Sequence, residues 1–155
     1  MAKYIIDQTH SDISFKVKHM MISSVKGAFN NYEASLKAEK EDFSDAVLEC
    51  VIDVNSLYTG IEERDNHLKS GGFFDCKRHP EIKFSTISVS TFTSQHHFEY
   101  TVNGSLQIKD DVRNIKLHGT YEGITVDECG QEKYCFELKG DIQRLRCFLD
   151  FGATN

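Results

Sequence analysis

The sequence predicts an all-β fold, an antiparallel barrel or sandwich of about eight strands. Apolar and polar residues alternate with a period of two along most of the chain, and short turn sequences separate the alternating segments. The alternation breaks down near residues 57–76, which predicts a short helical insertion between strands. A chain of 155 residues can bury a core without disulfides or a metal, so we expect a single domain over residues 1–155.

Four alternating segments predict strands most clearly. Their apolar sides carry Ile13, Phe15 and Val17; Ala46, Leu48, Cys50, Ile52 and Val54; Phe98, Tyr100, Val102, Leu106 and Ile108; and Tyr134, Phe136, Leu138 and Ile142. Such alternation is typical of antiparallel strands with one buried and one solvated face. About eight strands can close into a barrel with room for one ligand.

Turn residues and glycines favour the same architecture. Typical turn sequences lie between the predicted strands, at Asn30–Asn31, Lys109–Asp111 and Asp127–Gly130. Glycines also lie inside the predicted strands, at Gly27, Gly104, Gly119 and Gly140. We expect these glycines to mark bends or bulges where a barrel wall curves.

The helical insertion is predicted to begin near Gly60. Ser56 or Thr59 is a suitable N-cap, and Glu62 lies in the first turn, where the helix dipole favours acidic residues. Gly71–Gly72 would end the helix. The insertion departs from the rigid scaffold of predicted strands, and binding groups often lie on such segments.

The segment from the helix to the next strand is predicted to form either a lid over a site or a plug in the barrel. Phe73 and Phe74 can pack inward, and Pro80 sets the start of the strand from Glu81. We therefore assign Asp65, Phe73, Phe74 and Pro80 a structural role in a lid.

The charge balance disfavours two classes of partner. Eighteen basic and twenty-four acidic residues give a net charge of −6, which opposes binding to nucleic acid or to an anionic lipid surface. The N-terminal residues lack the apolar core of a secretory signal, and no apolar run is long enough to span a bilayer. We expect a cytoplasmic protein, or a periplasmic one if a leader was removed.

The cysteines predict neither a disulfide framework nor a metal site. Five cysteines make an odd number, with no closely spaced pair and no zinc-site spacing: Cys50, Cys76, Cys129, Cys135 and Cys147. We expect reduced, mostly buried thiols. Cys76 precedes two basic residues, which favour the thiolate.

A pattern that runs through most of the chain resembles the YceI-like family. It consists of Ile6-Asp7, His10-Ser11, Ile13, Phe15, Val17 and His19; Val25-Lys26-Gly27-Ala28-Phe29; Ser56 with Thr59-Gly60; Arg64-Asp65, His67-Leu68, Phe73-Phe74-Asp75, His79-Pro80 and Ile82-Lys83-Phe84; Val102-Asn103-Gly104-Ser105-Leu106; and Asp150-Phe151-Gly152. The resemblance implies a lipocalin-like antiparallel barrel around an elongated apolar cavity. It also implies binding of polyisoprenoids, quinone-like lipids or similar amphiphiles, and pairing as a homodimer.

The C-terminal residues depart from that pattern. Family members usually continue past the Asp150-Phe151-Gly152 turn with a further strand that helps to close the barrel, whereas this chain stops at Asn155. The expectation is a partly open barrel, a barrel edge supplied by a partner chain, or a shortened sequence.

The candidate ligand contacts are apolar residues on the inward side of the predicted strands. They are Phe15, Val17, Phe29, Tyr32, Phe84, Phe98, Tyr100, Leu106, Tyr121, Phe136 and Leu138, with His19 at the end of one such face. From the residues alone, a fully packed interior is the simpler interpretation. The resemblance favours a cavity in which the aromatic side chains contact an isoprenoid tail.

Polar candidates lie at the predicted helix. Arg64 and His67 would sit at the mouth of the cavity and hold a phosphate or carbonyl headgroup, with Asp65 orienting Arg64. The alternative is a buried Arg64–Asp65 pair that fixes the helix against the barrel.

Three functions remain open at this point. The leading hypothesis is a non-catalytic binding or carrier protein for an apolar lipid, with no cofactor and no metal. The second is an enzyme that acts on a small amphiphile through His67 with Ser70, or through Cys76 with His79. The third is a dimeric scaffold with a packed barrel.

Overall fold

The computed structural model describes the backbone of residues 2–7, 11–19, 23–71, 73–93, 98–142 and 145–154, and the side chains of residues 3–7, 11–16, 26–71, 73–91 and 98–140. Its elements, in chain order, are β1 Ala2–Ile6, β2 Asp12–His19, β3 Ser23–Phe29, β4 Tyr32–Ala38, β5 Val47–Asp53, β6 Leu57–Tyr58, α1 Glu62–Leu68, β7 Glu81–Thr93, β8 Phe98–Ile108, β9 Asp111–Val126, β10 Glu132–Ile142 and β11 Leu145–Thr154. A 3₁₀ turn, Val54–Ser56, lies between β5 and β6.

The strands form one strongly curled antiparallel sheet that returns to its own beginning. β1 and β2 are the two halves of one barrel strand, and the same holds for β3 with β4 and for β5 with β6. The pairings show this, because β4 pairs with β1 and β5, whereas β3 pairs with β2 and β6. With β7 to β11, the residues that the structure describes form eight barrel strands. The prediction of an all-β, lipocalin-like antiparallel barrel of about eight strands with a helical insertion is confirmed.

The last strand joins the two ends of the sheet. Its first half pairs with β2, from Leu145 opposite Val17 to Asp150 opposite Asp12, and its second half pairs with β1, where Ala153 lies opposite Ile6. On its other edge, β11 pairs with β10 along nearly its whole length. The predicted turn at Asp150-Phe151-Gly152 is therefore wrong, since these residues lie inside a strand that has neighbours on both edges.

The predicted turns agree with the strand boundaries. Asn30 and Asn31 separate β3 from β4, Lys109 and Asp110 separate β8 from β9, and the Gly130 N–H donates to the Asp127 carbonyl between β9 and β10 at 3.0 Å. Lys109 takes the positive φ of 57° that this tight turn requires.

The glycines within the strands make room for large side chains. A Cβ at Gly27 would lie 2.5 Å from the ring of Phe15, and a Cβ at Gly104 would lie 2.4 Å from the ring of Phe84. Gly119 and Gly140 lie equally close to the side chains of Leu138 and Leu117; added Cβ atoms would be 2.7 and 2.3 Å away. A bulge lies beside Gly104 as expected, since its partner Thr86 precedes the β7 bulge between Thr86 and Ser88. All four glycines also meet a packing requirement, because the inward side chain of a neighbouring strand covers each of them.

We predict that Gly104→Ala destabilises the fold by about 1–3 kcal/mol, because the new Cβ overpacks the interior against Phe84. Urea denaturation followed by circular dichroism measures this change. Gly71→Ala is the control, since a Cβ there meets no atom within 4 Å. Equal stability of the two variants would contradict the packing requirement.

Candidate functional site

An apolar pocket lies inside the barrel, beside the connection between β4 and β5. Its volume is about 40 Å³. It is lined by Leu36, Phe43, Ala46, Leu48, Thr86, Val89, Tyr100, Val102, Phe136 and Leu138. This lining comes from five strands and from one loop.

The two hydroxyl groups of the lining are already hydrogen-bonded. Thr86 Oγ1 donates to the Leu48 carbonyl at 3.1 Å and accepts the Leu48 N–H at 3.2 Å. Tyr100 Oη donates to the Asp42 carbonyl at 3.0 Å, and burial raises the pKa of Tyr100 to about 12, so it remains a donor at neutral pH. The pocket therefore suits a hydrocarbon group that needs no hydrogen bonds.

The pocket is small for a lipid. Sites for drug-sized molecules usually measure about 300–1,000 Å³, against about 40 Å³ here. A long chain therefore fits in this pocket only if lining side chains move.

The barrel wall is interrupted next to the pocket. The ladder between β5 and β7 ends where Glu49 lies opposite Ser85. Beyond it, β7 has a bulge between Thr86 and Ser88, and its pairs from Ser88 to Thr93 are with β8 alone among the described strands. The hydrogen-bonded wall therefore has a gap between the outer half of β7 and the β4–β5 connection, where the described strands form no ladder.

The β4–β5 loop, residues 39–46, is held by its own aspartates. Asp45 accepts the N–H groups of Glu39 at 2.8 Å and Lys40 at 3.0 Å, and Asp42 accepts the Ser44 N–H at 3.0 Å. These hydrogen bonds lower the pKa of both carboxyl groups. These hydrogen bonds therefore stabilise the loop fully when the pH is above the ordinary aspartate pKa. The stabilisation is lost as the pH falls through the lowered pKa of the two carboxyl groups.

Phe43 extends from this loop into the barrel. Its side chain is 5% exposed, and its ring packs against Tyr4 at 5.3 Å, Phe136 at 4.9 Å and Tyr134 at 5.7 Å between ring centroids. Its φ of 61° is left-handed, which costs a residue with a Cβ about 1–2 kcal/mol. Burial of the ring, worth about 1.5–3 kcal/mol, offsets that cost.

The sequence reasoning missed Phe43, and the reason is its surroundings. Residues 37–46 read KAEKEDFSDA, which is a polar and acidic segment typical of a solvated turn. A large aromatic residue in such a segment is the signal that could have identified a side chain directed into the protein.

A second aromatic cluster fills the opposite part of the interior. Phe74, from the segment after α1, packs against Phe15 at 6.0 Å and Phe29 at 5.9 Å, and these two rings are 5.0 Å apart. Phe73 is partly buried and packs on His67 at 4.8 Å. The segment from α1 to β7 thus contributes Phe74 to the core.

Thr59 organises the start of the helical insertion. The N-cap of α1 is Ile61, which makes no side-chain hydrogen bond, so the predicted cap at Ser56 or Thr59 is wrong. Instead, buried Asp65 accepts both the Thr59 N–H, at 2.8 Å, and the Thr59 hydroxyl. The Asp65 carboxylate, in the first turn of the helix, thus binds Thr59 in the segment that leads into the helix.

Arg64 binds the same threonine from its other side. Its Nε donates to Thr59 Oγ1 at 2.9 Å and its Nη2 donates to the Thr59 carbonyl at 2.7 Å. The alternative of a direct Arg64–Asp65 pair is therefore wrong, because each of the two side chains binds Thr59 instead. Arg64 is half-buried in this arrangement and does not line the pocket.

The structure distributes the predicted ligand residues over the whole barrel. Tyr100, Phe136 and Leu138 line the pocket. Other buried members of the set are Phe15, Phe29, Tyr32, Phe84 and Leu106, and Tyr121 is partly buried. Phe98 is 43% exposed at the start of β8, so it does not fill the interior, and the side chains of Val17 and His19 lie outside the described residues.

Two further predicted residues, one a headgroup contact and one a lid residue, are exposed and lie outside the lining of the pocket. His67 is exposed on α1, and Pro80 is exposed immediately before β7, which begins at Glu81 as predicted. Neither lines the pocket.

In the part of the chain that the structure describes, neither proposed catalytic pair has a hydrogen bond between its two side chains. The Ser70 hydroxyl donates to the His67 carbonyl rather than to its imidazole. His79 Nδ1 lies 3.8 Å from Asp110, while partly buried Cys76 packs against the core.

The described cysteines are free thiols in different environments. Cys50 is buried, which raises its pKa to about 12, and Cys129 is exposed, so the expectation of mostly buried thiols is only partly met. Within the described ranges, no group of three or more His, Cys, Asp and Glu residues could hold a metal. No helix there is long and apolar enough to cross a membrane.

Comparison with known proteins identifies a family and a fold. The model of the YceI-like domain matches residues 4–154. A UPF0312 protein of Staphylococcus epidermidis is 32% identical over 155 residues, which cover 99% of this chain and 86% of the relative.

Similar solved structures include the following two. The Campylobacter jejuni YCEI protein is 32% identical, with a TM-score of 0.67 over 93% of this chain and 82% of that one. A polyisoprenoid binding domain from Saccharophagus degradans is 11% identical, with a TM-score of 0.64 over 99% of this chain and 97% of that one. The second likeness shows the fold alone.

We predict that Asp65→Ala destabilises the protein by about 1–3 kcal/mol, because the Thr59 N–H and hydroxyl lose their acceptor. Chemical denaturation measures the effect. Glu62→Ala, on the exposed side of the same helix, is the control and should change stability by less than about 0.5 kcal/mol. An Asp65 variant as stable as this control would show that the Thr59 contact is dispensable.

We predict that Tyr100→Phe loosens the β4–β5 loop without unfolding the barrel, because it removes only the hydrogen bond to the Asp42 carbonyl. Amide hydrogen exchange of residues 39–46 should accelerate by about fivefold, which corresponds to the loss of about 1 kcal/mol. Tyr121→Phe, in the adjacent aromatic cluster, serves as the matched control. Unchanged loop exchange in Tyr100→Phe would contradict this role.

Proposed function

The chain belongs to the YceI-like domain family, and from that premise we propose that it is a binding or carrier protein for an elongated apolar amphiphile held inside the barrel. The ligand class is a polyisoprenoid, an isoprenoid quinone or a fatty-acid-like lipid. The role is binding rather than catalysis.

The observation that carries the proposal is the chemistry of the pocket. Its walls are hydrocarbon, and the hydroxyls of Thr86 and Tyr100 are used within the protein. A ligand there gains free energy from burial of apolar surface, roughly 25 cal/mol per Å² before the cost of association. Such a site selects a hydrocarbon chain and leaves a polar headgroup outside.

A structural neighbour favours the isoprenoid class. The Saccharophagus degradans domain is described as polyisoprenoid binding, and it has the same fold over nearly the whole of both chains. At 11% identity it does not identify individual contacts, so the ligand class rests on the pocket together with the shared barrel.

The environment of the candidate nucleophiles supports a binding role. Ser70 is engaged by the backbone of His67, and His79 lies beside Asp110 instead of Cys76. Catalysis by either pair would require a rearrangement that brings base and nucleophile into hydrogen-bond reach.

One observation favours a second candidate, a homodimeric scaffold with a packed barrel. The pocket that the described residues form measures only about 40 Å³, so a lipid chain does not fit in it unless its lining moves. Homodimer formation and a cytoplasmic location are part of our proposal for either function.

Native mass spectrometry of the purified protein before and after extraction with organic solvent tests the proposal. We expect either a co-purifying lipid or saturable binding of farnesol or geranylgeraniol by the extracted protein. Absence of both would contradict lipid binding and favour the packed scaffold.

We predict that Val89→Phe weakens prenol binding by about tenfold or more, because the larger side chain fills the pocket beside the gap in the wall. Ser90→Phe is the matched control, since the exposed Ser90 side chain is on the opposite face of β7. Displacement of a fluorescent fatty-acid probe compares the two affinities. Equal binding by both variants would show that the ligand does not use this pocket.

A further inference from the structure

We propose that Phe43 determines which apolar chains the barrel accepts, since its ring occupies space that a long chain needs and the β4–β5 loop must withdraw that ring to admit one. The chain would enter through the gap between this loop and the outer half of β7. This inference rests on the proposed lipid-binding function and adds a specificity-determining residue and a route of entry.

The position of the ring makes Phe43 the boundary of the cavity. One face lines the pocket together with Leu36, Leu48 and Val102, and the ring also packs against Tyr4 and Tyr134 in the aromatic cluster. Removal of the ring would therefore extend the pocket toward β1 and β10. The extended lining would still be formed mainly by hydrocarbon and aromatic rings.

The ring can leave without breaking the sheet, because Phe43 belongs to a loop. The last β4–β5 pair is Lys37 with Val47, so residues 39–46 contribute no rung to the ladder of these strands. The same loop lies opposite the half of β7 that has no β5 neighbour. Outward movement of the loop widens an existing gap.

The backbone at Phe43 also favours release. Its φ of 61° is unfavourable for a residue with a Cβ, and burial of the ring is what compensates for it. A bound chain can replace the ring as the apolar filling of the cavity, and the loop is then free to relax. The Tyr100 hydrogen bond to Asp42 ties the closed loop to the barrel wall.

A tryptophan reporter tests the movement, since the chain contains no tryptophan. Phe43→Trp should emit at short wavelength in the free protein and shift to longer wavelength as geranylgeraniol saturates it. Tyr58→Trp, on the exposed side of β6, is the control and should not shift. Saturable binding of the prenol with no shift in Phe43→Trp would overturn the proposal.

A chain-length series tests specificity. Phe43→Ala should bind geranylgeraniol and longer polyprenols about tenfold tighter than the wild type does, with a smaller gain for geraniol. Ile82→Ala also removes buried core volume, but Ile82 does not line the pocket, so this control should leave the length preference unchanged. Phe43→Leu, which retains part of the volume, replaces the alanine variant if that variant does not fold.

The outcomes separate this inference from the function on which it rests. If the wild type binds prenols with the same length preference as the Phe43 variants, the role of Phe43 is contradicted, whereas the proposed lipid-binding function is supported. Failure of the wild type and all variants to bind any prenol would remove both.

Discussion

The structure depends on the pairing of β11 with both halves of the first strand. Leu145–Asp150 pairs with β2, and Ala153–Thr154 pairs with β1, so one strand joins the beginning of the sheet to its end. The interior of a barrel of this size is just wide enough to be filled by side chains. Closure therefore surrounds one apolar space with the sheet, apart from the gap beside β7, and what occupies that space decides the function.

Residues outside the regular strands fill two parts of that space. Phe74, after α1, completes one aromatic cluster with Phe15 and Phe29, and Phe43, in the β4–β5 loop, completes the other with Tyr4 and Phe136. The two differ in how they are held. The segment after α1 connects to the Thr59–Asp65–Arg64 hydrogen bonds through the helix, whereas the loop is held by its own aspartates and by Tyr100.

Much of the fold could be predicted because a barrel strand alternates between interior and solvent. That alternation located β8 and β10. The turn residues at Asn30–Asn31 located the boundary between β3 and β4, and those at Lys109–Asp110 located the boundary between β8 and β9. The pairing of β11 with β1 and β2 could not be predicted, since it joins residues far apart in sequence. The packing role of the strand glycines could not be predicted for a related reason, because the side chains that cover them come from other strands. The candidate site was only partly predictable: Tyr100, Phe136 and Leu138 follow the alternation, whereas Phe43 belongs to an acidic loop that resembles a solvated turn.

The central claim is that an apolar chain occupies the barrel interior at the pocket. Nuclear Overhauser contacts between bound geranylgeraniol and the methyl groups of the protein test it most directly. The account predicts contacts from the isoprenoid chain to Leu36, Leu48, Val102 and Leu138, which line the pocket, and none to Val112, which is exposed on the outside of β9. Contacts to Val112 and other exterior methyl groups, with the pocket methyl groups unaffected at saturation, would contradict it.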